Sequence, residues 1–311
     1  MKQRSNFLFI DVAGHRLAAT AYNEGAPGVP VIFLHGVLTS VRFARHVLGP
    51  VFGPNRPWFS VSLPAHFPSQ VPGGFSAAQV NPDFFADVTA AAVRRLAGDR
   101  PAVVAGHSTG GFAALNLAIR RPAMVHGVLS LAGFAVGKWG GLEGLLQQLA
   151  RGGPPGRALF DLSMWLATRS EPAYRWLSST LAGDPGAYLR YPGLREAFGE
   201  AVEDARRHNF GALAHLLRAI RELDVSADVG SIRAPTLLLA GDRDPVVSFR
   251  HSRELAARIP GARLVPFKGA GHMMFFERPQ SFRQVVTSWL DEVTGALPVL
   301  DRARAHVEAR P

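Results

Sequence analysis

The residues that most clearly indicate chemistry are a serine and the glycines around it. Residues 106–111 read GHSTGG, between an apolar run at 101–105 and a helix-like pattern at 112–119. This order predicts a strand that stops at a Gly-x-Ser-x-Gly turn and restarts as a helix, with the serine exposed at the end of the strand. The unpaired N–H groups at a helix start favour developing negative charge. Ser108 is therefore the candidate nucleophile.

A serine hydroxyl is a weak nucleophile at neutral pH, so it needs a base, commonly a histidine that is held by a carboxylate. Asp244 follows the apolar run at 236–240, and His272 follows the run at 263–267. The carboxyl ends of parallel strands meet at one edge of a sheet, where ligands bind. We therefore expect Asp244 and His272 to lie beside Ser108.

Asp242 is a second candidate for the carboxylate, since it precedes Asp244 by two positions. Pro245 follows Asp244 directly. A residue before proline favours an extended backbone, which allows its side chain to point inward. The sequence therefore favours Asp244 over Asp242 as the partner of the histidine.

The negative oxygen that forms during acyl transfer needs hydrogen-bond donors. The backbone N–H of Thr109, directly after the serine, is one candidate, and that of Val37, in an upstream loop after a strand, is the second. His35 and His107 neighbour these loops and are expected to brace them rather than to transfer protons. His66, on another loop at the same edge of the sheet, is a further candidate for contact with the substrate.

Strand-like and helix-like segments alternate along most of the chain, after a start that resembles a hairpin. This alternation predicts an α/β fold whose central sheet is mostly parallel, with helices on both faces. A long central stretch carries only helical patterns, and Gly-Pro-rich segments at 152–156 and 183–186 are predicted to separate its helices. We therefore predict a core formed by residues 1–136 and 226–311, and an inserted helical cap at residues 137–225.

Composition and charge exclude several classes of function. The 311 residues include no cysteine, which excludes disulfides, thiolate metal sites and a cysteine nucleophile. The net charge of +10 comes almost entirely from arginine and is spread along the chain, which argues against nucleic-acid binding. No apolar run is long enough for a signal peptide or a membrane span. We expect a cytoplasmic protein without a metal or cofactor, and its oligomeric state stays open.

Four short motifs, in their chain order and strand context, resemble those of the α/β-hydrolase fold superfamily. They are His35-Gly36, the serine turn at 106–110, the segment 241–244 and Gly271-His272. The resemblance covers roughly residues 7–136 and 226–295. It implies that Ser108 is the nucleophile, that His272 is the general base and then acid, and that Asp244 orients the histidine. It also implies that residues 137–225 form a lid over the pocket.

One loop departs from the pattern of this superfamily. Residues 62–67 read SLPAHF, where many lid-bearing members carry Asp-x-Pro-Gly-His-Gly. The missing acid and glycines put the usual geometry of this loop in doubt. They do not affect the three catalytic candidates.

A serine at the nucleophile position argues against the haloalkane dehalogenases and epoxide hydrolases of this fold, which use aspartate there. The resemblance implies a carboxylesterase that acts, through an acyl-enzyme on Ser108, on a neutral ester, thioester or lactone with an apolar acyl part. A ligand-binding member without turnover, an acyltransferase, a perhydrolase and a hydroxynitrile lyase stay open as alternatives. The candidate pocket residues are Met273, Met274, Trp165 and Phe210.

Overall fold

An eight-stranded sheet organises the fold. The computed structural model describes residues 7–295, and within them the strands are β1 (Leu8–Val12), β2 (His15–Tyr22), β3 (Val31–Leu34), β4 (Trp58–Val61), β5 (Ala102–His107), β6 (Val125–Leu131), β7 (Thr236–Gly241) and β8 (Arg263–Phe267). Their order across the sheet is β1-β2-β4-β3-β5-β6-β7-β8. β2 is antiparallel to β1 and β4, and every pair from β4 to β8 is parallel. The predicted hairpin and mostly parallel sheet are confirmed.

Helices connect the strands and cover both faces of the sheet. In the described part of the chain they are α1 (Ala44–Phe52), α2 (Pro82–Ala97), α3 (Thr109–Arg120), α4 (Gly141–Arg151), α5 (Gly153–Thr168), α6 (Glu171–Ser179), α7 (Pro185–Leu189), α8 (Leu194–Ala205), α9 (Phe210–Ile220), α10 (Phe249–Arg258), α11 (Met274–Glu277) and α12 (Pro279–Thr294). Ile32 and Leu34 of β3 belong to the same buried cluster as residues of α2 and α3, whereas Val31 and Phe33 belong to a second cluster that includes residues of α1 and α12. Burial on both faces explains why β3 is a continuous apolar run.

Helices α4 to α9, which we call the inserted helices, lie between β6 and β7 in the chain. The Gly-Pro-rich segments 152–156 and 183–186 separate helices as predicted, but each segment also contains the start of the next helix. α5 begins at Gly153 and carries Pro154 and Pro155 in its first turn, where a proline leaves no hydrogen bond unmade. Pro185 likewise begins α7, after Asp184 accepts a hydrogen bond from the N–H of Ala187. The division of the chain into a core and a cap stays a prediction.

The predicted core extends to both ends of the chain, but residues 1–6 and 296–311 lie outside the described residues. Within residues 7–295, no helix combines the length and the apolar character needed to cross a membrane. The cytoplasmic location stays a prediction.

Two glycines allow the serine turn to lie close to the neighbouring strand. A Cβ on Gly110, in the first turn of α3, would lie 1.9 Å from the backbone oxygen of Leu34 in β3. A Cβ on Gly106, near the end of β5, would lie 2.1 Å from the backbone carbon of Gly110. Both distances are far below van der Waals contact. The start of α3 can therefore approach the sheet this closely only where these residues have no side chain.

We expect Gly110→Ala to lower the free energy of unfolding by about 3 kcal/mol, because the new methyl group overpacks a contact between two backbones. Gly199→Ala is the matched control, since Gly199 lies in α8 and a Cβ there would meet open space. Alanine at this position should raise the free energy of unfolding by about 0.5–1 kcal/mol through its higher helix propensity. Urea unfolding followed by tryptophan fluorescence measures the free energy of unfolding of both variants. Equal effects of the two variants would contradict the close-approach argument.

Candidate active site

Ser108 occupies the turn between β5 and α3 in a strained backbone conformation. Its φ is 53° and its ψ is −114°, a region that residues other than glycine seldom adopt. The neighbouring strand and helix hold it there, because the Ser108 N–H donates to the Leu131 oxygen at 2.8 Å and the Ser108 backbone oxygen accepts from the Phe112 N–H at 3.0 Å. The prediction that this serine is exposed is wrong: Ser108 is buried, because residues of the inserted helices line the same cavity. The predicted strand-turn-helix therefore places this serine at the start of α3.

His272 and Asp244 form a buried hydrogen-bonded pair. The distance between His272 Nδ1 and Asp244 Oδ2 is 2.7 Å. The other carboxylate oxygen accepts from the backbone N–H groups of Val246 and Val247, at 2.8 and 3.0 Å. An ionised carboxylate only accepts hydrogen bonds, so the imidazole proton is on Nδ1 and Nε2 is left as a base. Asp242 instead accepts from the Gly269 N–H, so the structure brings Asp244 rather than Asp242 to the histidine.

The pKa of His272 reflects two opposing influences. Burial alone would lower it, but the charge of Asp244 and its hydrogen bond, together with the charges of Glu143 and Glu277, outweigh burial and raise the pKa above 6.5. The pKa of the neighbouring His107 shifts in the opposite direction. Burial and the nearby charge of His272 lower the pKa of His107 well below its usual value. Of these two imidazoles, only that of His272 is stabilised in its charged form.

Ser108 and His272 line one cavity, of about 70 Å³, between the sheet edge and the inserted helices. Val37 lines the same cavity, on the loop that follows β3. Thr109 is the first residue of α3, and the first N–H groups of a helix have no partner within it. The two N–H groups predicted to stabilise a negative oxygen thus belong to a cavity-lining residue of the loop after β3 and to the residue that directly follows Ser108. Their role as an oxyanion hole stays a prediction.

Two of the four predicted pocket residues line this cavity, and two do not. Met273 and Phe210 line it, whereas Met274 is fully buried among core residues and Trp165 is 51% exposed. The prediction is therefore wrong for Met274 and Trp165. Met164 lines the cavity, and the next residue of a helix points about 100° away, which turns Trp165 to the surface. Met274 begins α11, which turns its side chain towards the core.

Two buried histidines hold the loop after β3 (residues 35–40, the β3 loop) against the loop after β4 (residues 62–68, the β4 loop). Leu38 N–H donates to His66 Nε2 at 3.0 Å, and Leu63 N–H donates to His35 Nε2 at 3.1 Å. Because Nε2 accepts in both, Nδ1 carries the proton and donates, to the Pro64 oxygen from His66 and to the Gly36 oxygen from His35. Both imidazoles are therefore neutral. His35 braces the loop as predicted, and His66 is a bracing residue in this structure.

The inserted helices also contact the β3 loop through two residues that the sequence analysis did not identify as functional. His208, between α8 and α9, accepts from the Phe67 N–H at 2.9 Å and donates to the Thr39 oxygen at 3.2 Å. Tyr174 of α6 donates its hydroxyl hydrogen to the Leu38 oxygen. Their partners lie more than 130 residues away in the chain, so no local pattern signals them. The β3 loop is thus fixed from both the β4 loop and the inserted helices.

Glu277 of α11 connects the loop that carries His272 to the inserted helices. Its two oxygens accept from the N–H of Gly271 at 2.9 Å and from the N–H of Asp184 at 2.7 Å. The N–H of His272 itself donates to the oxygen of Leu181, at 2.8 Å. Burial raises the pKa of Glu277, although these N–H donors oppose it. Glu277 was not singled out from the sequence, because its role depends on two backbone groups that only the fold brings together.

A metal ion has no evident place among these residues. Over residues 7–295, no group of three or more His, Cys, Asp or Glu side chains has the arrangement needed to hold one.

Comparison with known sequences identifies the family. The sequence profile described as the alpha/beta hydrolase family matches residues 31–285, which is most of the chain. The protein belongs to the alpha/beta hydrolase family, in agreement with the eight-stranded sheet and the serine turn.

Several curated proteins are similar to parts of this chain. A protein named as a putative carbamate hydrolase, RutD, from Pseudomonas syringae pv. syringae is 28% identical over 185 residues, which are 60% of this chain and 66% of that protein. A pimeloyl-[acyl-carrier protein] methyl ester esterase from Aromatoleum aromaticum is 30% identical over 207 residues, 58% of this chain and 70% of that protein. The matched region thus spans about two thirds of the length of these relatives.

Solved structures share the fold over nearly the whole chain. A thermophilic esterase from Thermogutta terrifontis has a TM-score of 0.70 at 20% identity, covering 93% of this chain and 99% of the other. The alpha/beta hydrolase MGS-M2 from a Medee basin deep-sea metagenome library has a TM-score of 0.72 at 15% identity. The match covers 94% of this chain and 98% of the other. At these identities the likeness concerns the fold alone.

We expect the neutral histidines to make the fold sensitive to acid. Burial lowers the pKa of His66 to about 4 and that of His35 to about 3. Between these values and the usual 6.5, the unfolded chain binds more protons than the folded one, so the free energy of unfolding falls as the pH falls. For His66→Gln, the loss of unfolding free energy between pH 7 and pH 5 should be smaller than in the wild type by about 2 kcal/mol.

Urea unfolding at the two pH values tests this expectation. Glutamine was chosen because its side chain reaches as far as Nε2 and can accept from the Leu38 N–H without titrating. An unchanged pH dependence in His66→Gln would show that His66 does not bind a proton on unfolding.

Glu277→Gln should weaken the attachment of the His272 loop. The amide keeps one acceptor oxygen but turns an NH₂ towards the second N–H, so the free energy of unfolding should fall by about 1–3 kcal/mol. The charge of Glu277 raises the pKa of His272, so this pKa should fall in the variant. NMR titration of the His272 ring measures the shift. Glu254→Gln, at an exposed position of α10, is the control, and an unmoved His272 pKa in Glu277→Gln would contradict the electrostatic link.

Proposed function

We propose that the protein is a serine hydrolase of the carboxylesterase type, acting on a neutral ester, thioester or lactone with a small apolar acyl part. The observation that carries the proposal is the arrangement around one cavity. Ser108 and His272 line it together, and Asp244 holds His272 through Nδ1. Three residues that follow three strands thus supply a hydroxyl, an imidazole and a carboxylate, the three groups that a serine nucleophile mechanism uses, which supports the proposal.

In the proposed reaction, His272 Nε2 accepts the proton of Ser108 Oγ as this oxygen attacks the carbonyl carbon of the substrate. The carbonyl oxygen becomes negative in the tetrahedral intermediate and accepts from the N–H groups of Val37 and Thr109. The intermediate then loses the alcohol or thiol, which takes the proton from His272, and leaves an acyl group on Ser108. Water repeats these steps, with His272 again as base and then acid, and releases the carboxylic acid.

Asp244 acts on the histidine and not on the substrate. Its hydrogen bond keeps the proton on Nδ1 and directs Nε2 towards the serine, and its charge stabilises the imidazolium that forms after proton transfer. The direction of the His272 pKa shift supports this role, because the influence of Asp244 helps to outweigh burial.

The inserted helices act as the lid in this proposal, with residues 137–225 covering the pocket. The cavity beneath them encloses about 70 Å³, much less than the roughly 300–1,000 Å³ of sites for drug-sized ligands. Most of its lining is apolar, including Leu142, Leu146 and Met164. Both features favour a short, uncharged acyl group. The names of two relatives, a carbamate hydrolase and a methyl ester esterase, concern substrates with a carbonyl next to a heteroatom.

Substitution of the nucleophile tests the proposal. For p-nitrophenyl acetate, kcat/KM should fall by about 10⁴-fold or more in Ser108→Ala and by about 10³–10⁴-fold in Asp244→Asn. Asp242→Asn is the matched control. Its kcat/KM should stay close to that of the wild type, because asparagine still accepts a hydrogen bond from the Gly269 N–H. A fluorophosphonate probe should label the wild type and not Ser108→Ala. Folded wild type that neither reacts with the probe nor hydrolyses esters would favour a ligand-binding role.

A further inference from the structure

Glu143 of α4 points a buried carboxylate oxygen at the proposed site. The residue is 9% exposed, and it lines the same cavity as Ser108 and His272. Within residues 7–295, its Oε2 atom is buried without a hydrogen-bond partner. The reaction proposed above uses Ser108, His272 and Asp244, and it assigns no step to Glu143.

Burial without a partner is unfavourable for a carboxylate, since the charged form loses its hydration and gains little in return. Accordingly, burial raises the pKa of Glu143 to about 7, while the charge of His272 lowers it and that of Asp244 raises it. A hydrocarbon side chain would fill this place without such a cost. The position therefore suggests a purpose other than packing.

The position of Glu143 at the start of α4 explains only part of the environment of its carboxylate. Glu143 is the third residue of α4, and an acidic residue in the first turn interacts favourably with unpaired N–H groups. Its own backbone N–H does favour the charged form. That interaction does not require burial in the cavity, and it leaves Oε2 without a donor among the described residues. A molecule bound in the cavity can supply the missing donor.

We propose that Glu143 accepts a hydrogen bond from an uncharged N–H or O–H group of the substrate next to the reacting carbonyl. This inference rests on the proposed function and narrows its substrate class to neutral acyl groups that carry one hydrogen-bond donor beside the carbonyl and are otherwise apolar. The enzyme would select acyl groups that carry such a donor, such as 2-hydroxyacyl esters or carbamates with a free N–H, over acyl groups of the same size that are wholly apolar.

The remaining lining supports this assignment. Among the described residues that line the cavity, Glu143 is the only carboxylic acid, and its neighbours Leu142 and Leu146 are apolar. In such surroundings a single acceptor discriminates strongly, because a substrate without the donor leaves a buried polar atom unpaired. Glu143 and Ser108 line the same small cavity, so a substrate bound there can contact both side chains.

Two esters of nearly equal size test the inference, p-nitrophenyl propionate and p-nitrophenyl glycolate. In the glycolate ester, a hydroxyl group takes the place of the terminal methyl group of propionate. The measurement is the ratio of kcat/KM for glycolate to that for propionate. In Glu143→Leu this ratio should fall by about 10- to 100-fold relative to the wild type, because the hydroxyl loses its acceptor. In Glu143→Gln, which keeps an acceptor oxygen, it should fall by less than about tenfold.

A second measurement separates this role from a structural one. An unpaired buried carboxylate is unfavourable without substrate, so Glu143→Leu should raise the melting temperature of the free protein. An unchanged ratio of the two esters in both variants would overturn the inference and leave the proposed hydrolase standing, provided that propionate is hydrolysed. Equal losses for both esters, with a lower melting temperature, would assign Glu143 to the fold. If folded wild type hydrolyses neither ester, the proposed function fails as well.

Discussion

The site depends on the close contact between the backbones of β3, β5 and the start of α3. Gly106 and Gly110 leave no room for a side chain there, so the strand can turn into a helix within a few residues. The turn forces Ser108 into a backbone conformation with positive φ and holds it with hydrogen bonds from both neighbours. The sheet then determines the rest, because β7 and β8 end at the same edge and carry Asp244 and His272 to it.

The inserted helices contribute to the geometry of the candidate site through contacts with both of its loops. Tyr174 and His208 hydrogen-bond to the β3 loop, which carries Val37. On the other side, Leu181 accepts from the N–H of His272, and Glu277 joins the His272 loop to Asp184. Both loops beside the serine are therefore fixed partly by contacts with the insertion. The conformations of these two loops therefore depend on tertiary contacts between segments that are distant in the chain.

The difference between strand ends, which meet at one edge of the sheet, and contacts between distant segments explains which site residues could be predicted from the sequence. Ser108, Asp244 and His272 follow apolar strands, and the rule that parallel strands end at one edge is enough to bring them together. Glu143, Glu277 and His208 have no comparable pattern. Glu143 is distinguished by its burial in the cavity, and Glu277 and His208 by backbone partners far along the chain. The errors at Trp165 and Met274 have other causes. Trp165 was predicted from a helical pattern, which indicates that one face is buried but does not say which face meets the cavity. Met274 was predicted from its closeness to His272 in the chain, which does not determine the direction of its side chain.

The contacts of Tyr174 and His208 with the β3 loop bear on how this family diversifies. An insertion that only covered a pocket could be exchanged between relatives as a module, with a change of substrate and no loss of rate. Here the insertion supplies hydrogen bonds to the loop that faces the serine. A chimaera that receives a foreign insertion must therefore also receive a compatible β3 and β4 loop. In this protein, exchange of the insertion is thus coupled to the β3 and β4 loops and to the buried histidine that each of them carries, His35 and His66.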